Sequence, residues 1–157
     1  MAETILDTTL LSNFAHIQRP ELLRSALGSH AVTTATVLAE LRSGVTSGWV
    51  PRCDWSWLAV VKLAEKEQIQ AAHYTTILDA GESECLAIAK ERGWVFASDD
   101  LAARRLAQQE GVAVTGTLGV LQKLIAIHLL TLDEADAHLA VMVARGYRAP
   151  VHSLRNL

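Results

Sequence analysis

Short apolar runs alternate with longer segments of helical period along the chain, and three of those longer segments end on a glycine: Gly93, Gly111 and Gly146. This alternation constrains the fold more than any other feature. Strands that follow one another through helices run parallel, and a parallel sheet is covered on both faces. Strands are expected at Thr4–Leu6, Ala31–Thr33, 94–98 and 112–114. The run WLAVVKL (57–63) fits either period and is assigned to strand. Helices are expected at Leu10–His16, from Pro20 onward, over 65–77, and across DLAARRLAQQEG, TLGVLQKLIAIH and DEADAHLAVMVARG. In TATVLAELRS the residues Val37, Leu38 and Leu41, continued by Val45, make one apolar stripe. SECLAIAKERG opens after Asp79-Ala80-Gly81-Glu82 and closes at Gly93. The chain therefore reads as α/β with a mostly parallel sheet.

Composition narrows the class. With 157 residues, 50% apolar and 20% charged, the chain can bury a substantial core as one domain over 1–157 and is not disordered. No stretch reaches the ~18 uninterrupted apolar residues of a membrane span. The first residues lack the basic-then-apolar layout of a secretory leader. Cys53 and Cys85 have no disulfide or zinc spacing, and a cytoplasmic protein is expected. A net charge of −3 argues against wrapping duplex DNA by charge alone. It leaves nucleic acid open, because a bound divalent cation inverts the local sign of an acidic cleft.

The acids fall where elements meet. Asp7 follows strand one in TILDTTLL, Glu40 lies one to two turns into the helix after strand two, Glu82 and Glu84 open a helix, and Asp99 and Asp100 follow WVFAS. Parallel strands put their carboxyl ends on one sheet edge, where open α/β sheets hold ligands. Four segments would then direct carboxylates into one cleft, and like charges at short range raise one another's pKa. Mg²⁺ or Mn²⁺, which take oxygen ligands, relieve that repulsion. Two such ions ~3.5–4 Å apart would activate a water and stabilise a leaving oxygen in phosphodiester cleavage. Capping explains the same acids individually: Asp7 before a helix, Asp79 with Glu82 as a capping box, Asp99 or Asp100 as cap and first-turn charge. Glu40, on the flank of its stripe, has no such role.

Other residues offer less. Arg104 and Arg105 follow the last acids and would reach phosphates, or simply face solvent. Trp49, Trp55 and Trp57 surround the Pro/Gly loop; packing in the core or at a protein interface is expected, with base stacking as the rival. Thr115-Gly116-Thr117 reads as a turn and helix cap. No phosphate loop, nucleophile triad or histidine pair is present. A phosphatase of the DxD type is disfavoured, since Asp7 is followed by Thr8-Thr9.

Taken in order, ILDTTLLSNFA, TTATVLAELRSGV, LDAGESECLAIAKERG, ASDDLAARRLAQQEG and VTGTLGVL resemble the PIN domain, nearest its VapC-like branch, from about residue 4 to about 130. The resemblance implies a three-layer α/β/α sandwich and a Mg²⁺- or Mn²⁺-dependent ribonuclease that leaves a 5′-phosphate and a 3′-hydroxyl. It implies a cytoplasmic toxin of a toxin–antitoxin pair, with an antitoxin as partner and a homodimer as the expected assembly. The helix at 133–145 and the tryptophan region are the expected interface elements. Carried over, the family acids fall on Asp7, Glu40, Glu82 (with Glu84 as neighbour) and Asp99 (with Asp100 as the competing register). Thr8 and Ser98 would flank the metal edge, with Arg104 and Arg105 on the substrate. Glu82 departs from the family, most of whose VapC-like members carry Asp there. The rival implication is a catalytically silent PIN-fold module that binds nucleic acid or protein.

Overall fold

The computed structural model describes residues 2–157. Five strands form one all-parallel sheet: β1 (Thr4–Leu6), β2 (Ala31–Thr34), β3 (Ala59–Val61), β4 (Val95–Ala97) and β5 (Val114–Thr115). Their order across the sheet is β3-β2-β1-β4-β5. Among the described residues eight α-helices accompany them: α1 (Thr8–His16), α2 (Glu21–Leu27), α3 (Ala35–Thr46), α4 (Glu65–Tyr74), α5 (Ala80–Arg92), α6 (Leu101–Gln109), α7 (Thr117–Ala126) and α8 (Leu132–Ala144). The result is the three-layer α/β/α sandwich. None of these helices is long and apolar enough to cross a membrane.

The sequence grows outward from β1 in both directions. β2 and β3 extend the sheet on one side, β4 and β5 on the other. This reversal between β1 and β4 opens a crevice at the strands' carboxyl ends. Residues that follow β1 and β4, namely Asp7 and Ser98–Asp100, stand at its lip. The Asp7 N–H donates to Ala97 O at 3.1 Å, so the two chains remain joined past the last paired strand residues.

Element boundaries moved where a cap decided them. α1 begins at Thr8 rather than Leu10, because Asp7 is its N-cap and accepts from Leu10 N. Pro20 stands at the cap position, one residue ahead of α2. The helix expected over 65–77 stops at Tyr74, where Thr75–Leu78 turn back on it through Ile77 N–H to Tyr74 O. The paired part of β5 lies later than 112–114, because Val112 closes α6: Gly111 adopts φ +74° and Val112 N–H returns to Ala107 O. The ambiguous run 57–63 does contain a strand, β3.

Helix α5 carries no amphipathic stripe because it is buried on nearly every side, with Gly81 through Ser83 and Cys85 through Ala89 inaccessible. It packs on β1, β2 and β4, and on α3 and α4. Its far end is tied down by an ion pair. Glu67 of α4, only 1% exposed, accepts from Arg92 Nε at 2.8 Å, and the Arg92 guanidinium lies 4.9 Å from the Trp94 ring centre. Helix α8 turns Ala135, Leu139 and Met142 inward and is held by Asp136, which accepts from Ser153 and Leu154. Part of the apolar side expected to face another chain is thus packed within this one, while Val141 stays exposed.

Arg92→Ala strands the Glu67 carboxylate in the core. The expected loss is about 3 kcal/mol of unfolding free energy by urea titration, with Glu67→Gln in the same background recovering part of it. Equal stability of wild type and Arg92→Ala would contradict this account of how α4 holds α5.

Candidate active site at the carboxyl edge of the sheet

Asp7 is the most unusual residue of the chain. It is wholly inaccessible to solvent. Its Oδ1 accepts from Thr9 Oγ1 at 2.7 Å and from Leu10 N at 3.2 Å. Its Oδ2 is buried with no hydrogen-bond partner. Capping and a site role are therefore not rivals here: one oxygen caps α1 and the other is left free. Burial pushes the Asp7 carboxyl up to about 7, partly offset by Ser98, Thr9 and the Leu10 N–H, with Asp99 adding repulsion.

Glu82 stands opposite. Asp79 and Glu82 form the expected capping box, with Glu82 N–H donating to Asp79 Oδ1 at 2.9 Å and Asp79 N–H to Glu82 Oε2 at 3.2 Å. That box turns the Glu82 side chain back over the start of α5. Burial first, then the charges of Asp79, Asp100 and Asp7, raise it to about 8. Asp7, Glu82, Asp79 and Asp100 thus form one electrostatic group.

Glu40 joins from α3. It accepts from Thr8 Oγ1 at 2.9 Å. Its carboxyl reaches the first turn of α5 only because residue 81 is glycine: a Cβ there would fall on Glu40 Oε1 and 3.2 Å from Val37 Cγ2. Burial raises the Glu40 pKa, and Asp79 and Glu84 add to the rise. Glu84, one turn along α5 from Gly81, instead accepts from Thr36 Oγ1 at 3.0 Å. The Glu82/Glu84 pair is therefore split, with Glu82 toward Asp7 and Glu84 toward α3.

Asp99 and Asp100 are split as well. Asp99 is spent on structure. Its Oδ1 accepts from Thr117 N at 2.8 Å, and its Oδ2 accepts from Asn13 Nδ2 at 2.8 Å and from the Thr117 hydroxyl. Gly116 permits this approach, since a Cβ there would lie 2.5 Å from Asp99 Oδ1 and 2.8 Å from Arg104 Nη1. Burial is the largest influence on Asp99 and raises its pKa, against the three hydrogen bonds and Arg104. Asp100 caps α6 through Ala103 N at 2.9 Å, and it is Asp100 whose charge presses on Glu82. The two neighbours therefore differ in their partners: Thr117 and Asn13 hold Asp99, while Asp100 caps α6 and acts on Glu82. Ser98 is fully buried between them, its hydroxyl accepting from Asp100 N at 3.1 Å and lying 3.4 Å from Thr9 Oγ1.

Among the described residues no three His, Cys, Asp or Glu side chains converge closely enough to hold a metal ion as they stand. The donor set nevertheless suits a hard cation in kind. It offers an orphaned buried oxygen on Asp7 and a second carboxyl, Glu82, whose pKa burial and then the nearby acids raise, a strain that a cation's charge would relieve. Asp7, Glu82 and Asp100 are the residues able to hold one, with Glu40 at the flank.

A cleft of about 810 Å³ opens from this edge. Thr9, Asn13, Asp99 and Asp100 line it together with Trp49, Arg145, Tyr147 and Arg148; the buried Asp7 and the carboxyls of Glu40 and Glu82 lie outside this lining. Arg104 borders it, but its guanidinium is engaged: Nη1 donates to Ser98 O and Thr115 O, each at 2.9 Å. Arg105 is exposed on α6 and does not line the cleft. Sequence reasoning missed Asn13, Thr9, Gly81 and the Arg145–Arg148 wall. Thr9, Asn13 and Gly81 sat inside quoted motifs; the wall carried no local signal. The three tryptophans divide: Trp55 and Trp57 pack against the core with ring centres 6.2 Å apart, while Trp49 stands out in the cleft.

The family model that matches the chain is DUF3368, a PIN domain, and it covers residues 3–157. No curated protein and no solved structure gives a significant match.

The raised carboxyls set the pH dependence of the metal-free protein. Asp7 ionises near 3.8 when unfolded and near 7 when folded, so the folded chain binds the extra proton in between. Stability from this residue is therefore full below about pH 4 and falls as pH rises to about 7, by on the order of 4 kcal/mol. Urea midpoints in chelator should drop between about pH 5 and about pH 8, and Asp7→Asn should flatten that drop and unfold later than wild type at the upper pH. A wild-type midpoint that rises over this range would refute the burial cost assigned to Asp7.

Proposed function

The chain belongs to the PIN-domain family, and we propose that it is a divalent-metal-dependent endoribonuclease, the cytoplasmic toxin of a VapBC-type pair. PIN domains are in general nucleases that use divalent ions. The observation that carries the reading for this chain is the Asp7 carboxyl, wholly buried with one oxygen unpartnered at the sheet's switch point. A structural cap has no need of that arrangement, because leaving a buried carboxylate oxygen unsatisfied is destabilising.

Asp7, Glu82 and Asp100 would hold Mg²⁺ or Mn²⁺, with Glu40 and Glu84 as the outer carboxylates. A bound divalent cation supplies activation of water and charge relief on the departing oxygen. The remaining work belongs to the chain's own groups. Thr9 and Leu10 N–H hold Asp7 Oδ1 and leave its second oxygen unpartnered for the ion. Thr8 and Gly81 fix Glu40, and Ser98 fixes the Asp100 backbone. Asp99 acts as a positioning residue that binds β4 to α1 and α7 through Asn13 and Thr117. Arg104 holds the ends of β4 and β5 together and borders the substrate's path. A homodimer and a bound antitoxin complete the reading; exposed Ile69 on α4 and Ile77 just after it are the apolar surface offered for them.

A second reading, a catalytically silent PIN-fold module, is favoured by the absence of any three converged ligating side chains among the described residues. One experiment separates them. Purified protein is incubated with an end-labelled mixed RNA pool in Mg²⁺, in Mn²⁺ and in chelator, beside Asp7→Asn, Asp99→Asn and Asp100→Asn. Cleavage should require metal and fall by at least ~100-fold in Asp7→Asn and Asp100→Asn. Asp99→Asn should lose ~10–100-fold and also unfold at lower urea, as expected of a residue that orients others. Metal-independent cleavage, or cleavage unchanged in Asp7→Asn, would overturn the nuclease reading. No cleavage of any RNA by metal-loaded protein would favour the silent module.

A further inference from the structure

The cleft has chemistry of its own. Trp49 is 79% exposed, although it is the bulkiest apolar side chain the fold can offer. Its backbone is nonetheless fixed. Gly48 takes φ +79°, Trp49 N–H donates to Gly44 O at 2.8 Å, and Val50 folds back so that Val50 Cγ2 lies 3.0 Å from where a Gly44 Cβ would be. An indole held on a fixed turn and left in water is organised for a flat partner.

The same lining carries two cations. After α8, Gly146 at φ +114° turns the chain so that Tyr147 N–H returns to Met142 O. Tyr147 then lies beside Asp99, whose charge adds to burial in raising the phenol's pKa. Arg145 and Arg148 flank it in the cleft. Among the described residues neither of these arginines takes part in an ion pair, unlike Arg19, Arg92 and Arg155. Two exposed, unpaired guanidinium groups give this lining a positive charge that suits an anion. The cleft thus offers an exposed indole, two free cations and the acids Asp99 and Asp100 in one lining.

We propose that Trp49, Arg145 and Arg148 make this cleft a binding track for single-stranded RNA, with one base stacked on Trp49 and neighbouring phosphates held by Arg145 and Arg148. It rests on the nuclease reading for the direction of the strand toward Asp100, but not for the binding itself. Stacking on an exposed indole needs an unpaired base, because duplex bases already stack on each other. Trp49 would therefore select strand state, and by its breadth favour purines, while the arginines supply affinity without sequence.

The test is fluorescence anisotropy of a labelled six-nucleotide oligo(A) in chelator, where no cleavage occurs, with a hairpin RNA duplex as comparison. The single strand should bind and the duplex should bind at least ~10-fold more weakly. Trp49→Ala should weaken the single strand roughly tenfold, with Trp49→Phe retaining most of the affinity. Arg145→Ala with Arg148→Ala should flatten the salt dependence by about 0.7 for each guanidinium removed. All three positions are exposed, so the variants should fold, and urea midpoints check that they do. Trp49→Ala binding within twofold of wild type, duplex binding as tight as single strand, or no binding by wild type would each overturn the track. Loss of nothing but RNA cleavage in Asp7→Asn bears on the catalytic reading alone; Trp49-dependent binding without any cleavage would leave the track standing and the nuclease reading fallen.

Discussion

The carboxyl edge depends on the burial of one acid. Asp7 sits in the ladder between β1 and β4, accepts the first free N–H of α1, and still presents an oxygen to no one. Because that oxygen is out of water, every other charge nearby acts on it through a poorly screened medium. Glu82 feels Asp7, Asp79 and Asp100, and Glu40 feels Asp79 and Glu84. The cluster is uncomfortable without a cation, and the surrounding fold is arranged to hold it in that condition. Two glycines, Gly81 and Gly116, remove the only atoms that would keep Glu40 and Asp99 at a distance.

Rigidity at this edge comes from groups that belong to different layers. Thr9 links Asp7 to Asp99 N, and Asn13 links α1 to Asp99 and Thr117. Arg104 spans the ends of β4 and β5. Behind them α5 is buried along most of its length and fastened by Glu67 and Arg92. Carboxylates that repel each other need such a frame, since side chains left free would simply move apart.

The architecture was legible in the sequence because period and caps are local. The alternation marked the parallel sheet, Gly93 and Gly111 closed their helices at positive φ, and the junction positions of the acids led to one edge. The division of labour within that edge was not local. Whether Asp99 or Asp100 faces Glu82 is decided by Thr117, 18 residues on, and by Asn13, 86 residues back. Glu82 and Glu84 are separated by Thr36, on another helix. Trp49 parted from Trp55 and Trp57 because only the latter two have a core to pack against. The arginine wall after α8 lies far from every motif in the chain and meets them only through the fold.

The pairing of Asp99 with Thr117 and Asn13 has a consequence for how this chain tolerates change. Two adjacent, identical residues answer to different partners: Asp99 to the frame it completes, Asp100 to the start of α6 and the charge of Glu82. A change at Thr117 or Asn13 would release Asp99 without touching Asp100. A change at Asp100 would leave the frame around Asp99, and the cleft it borders, intact.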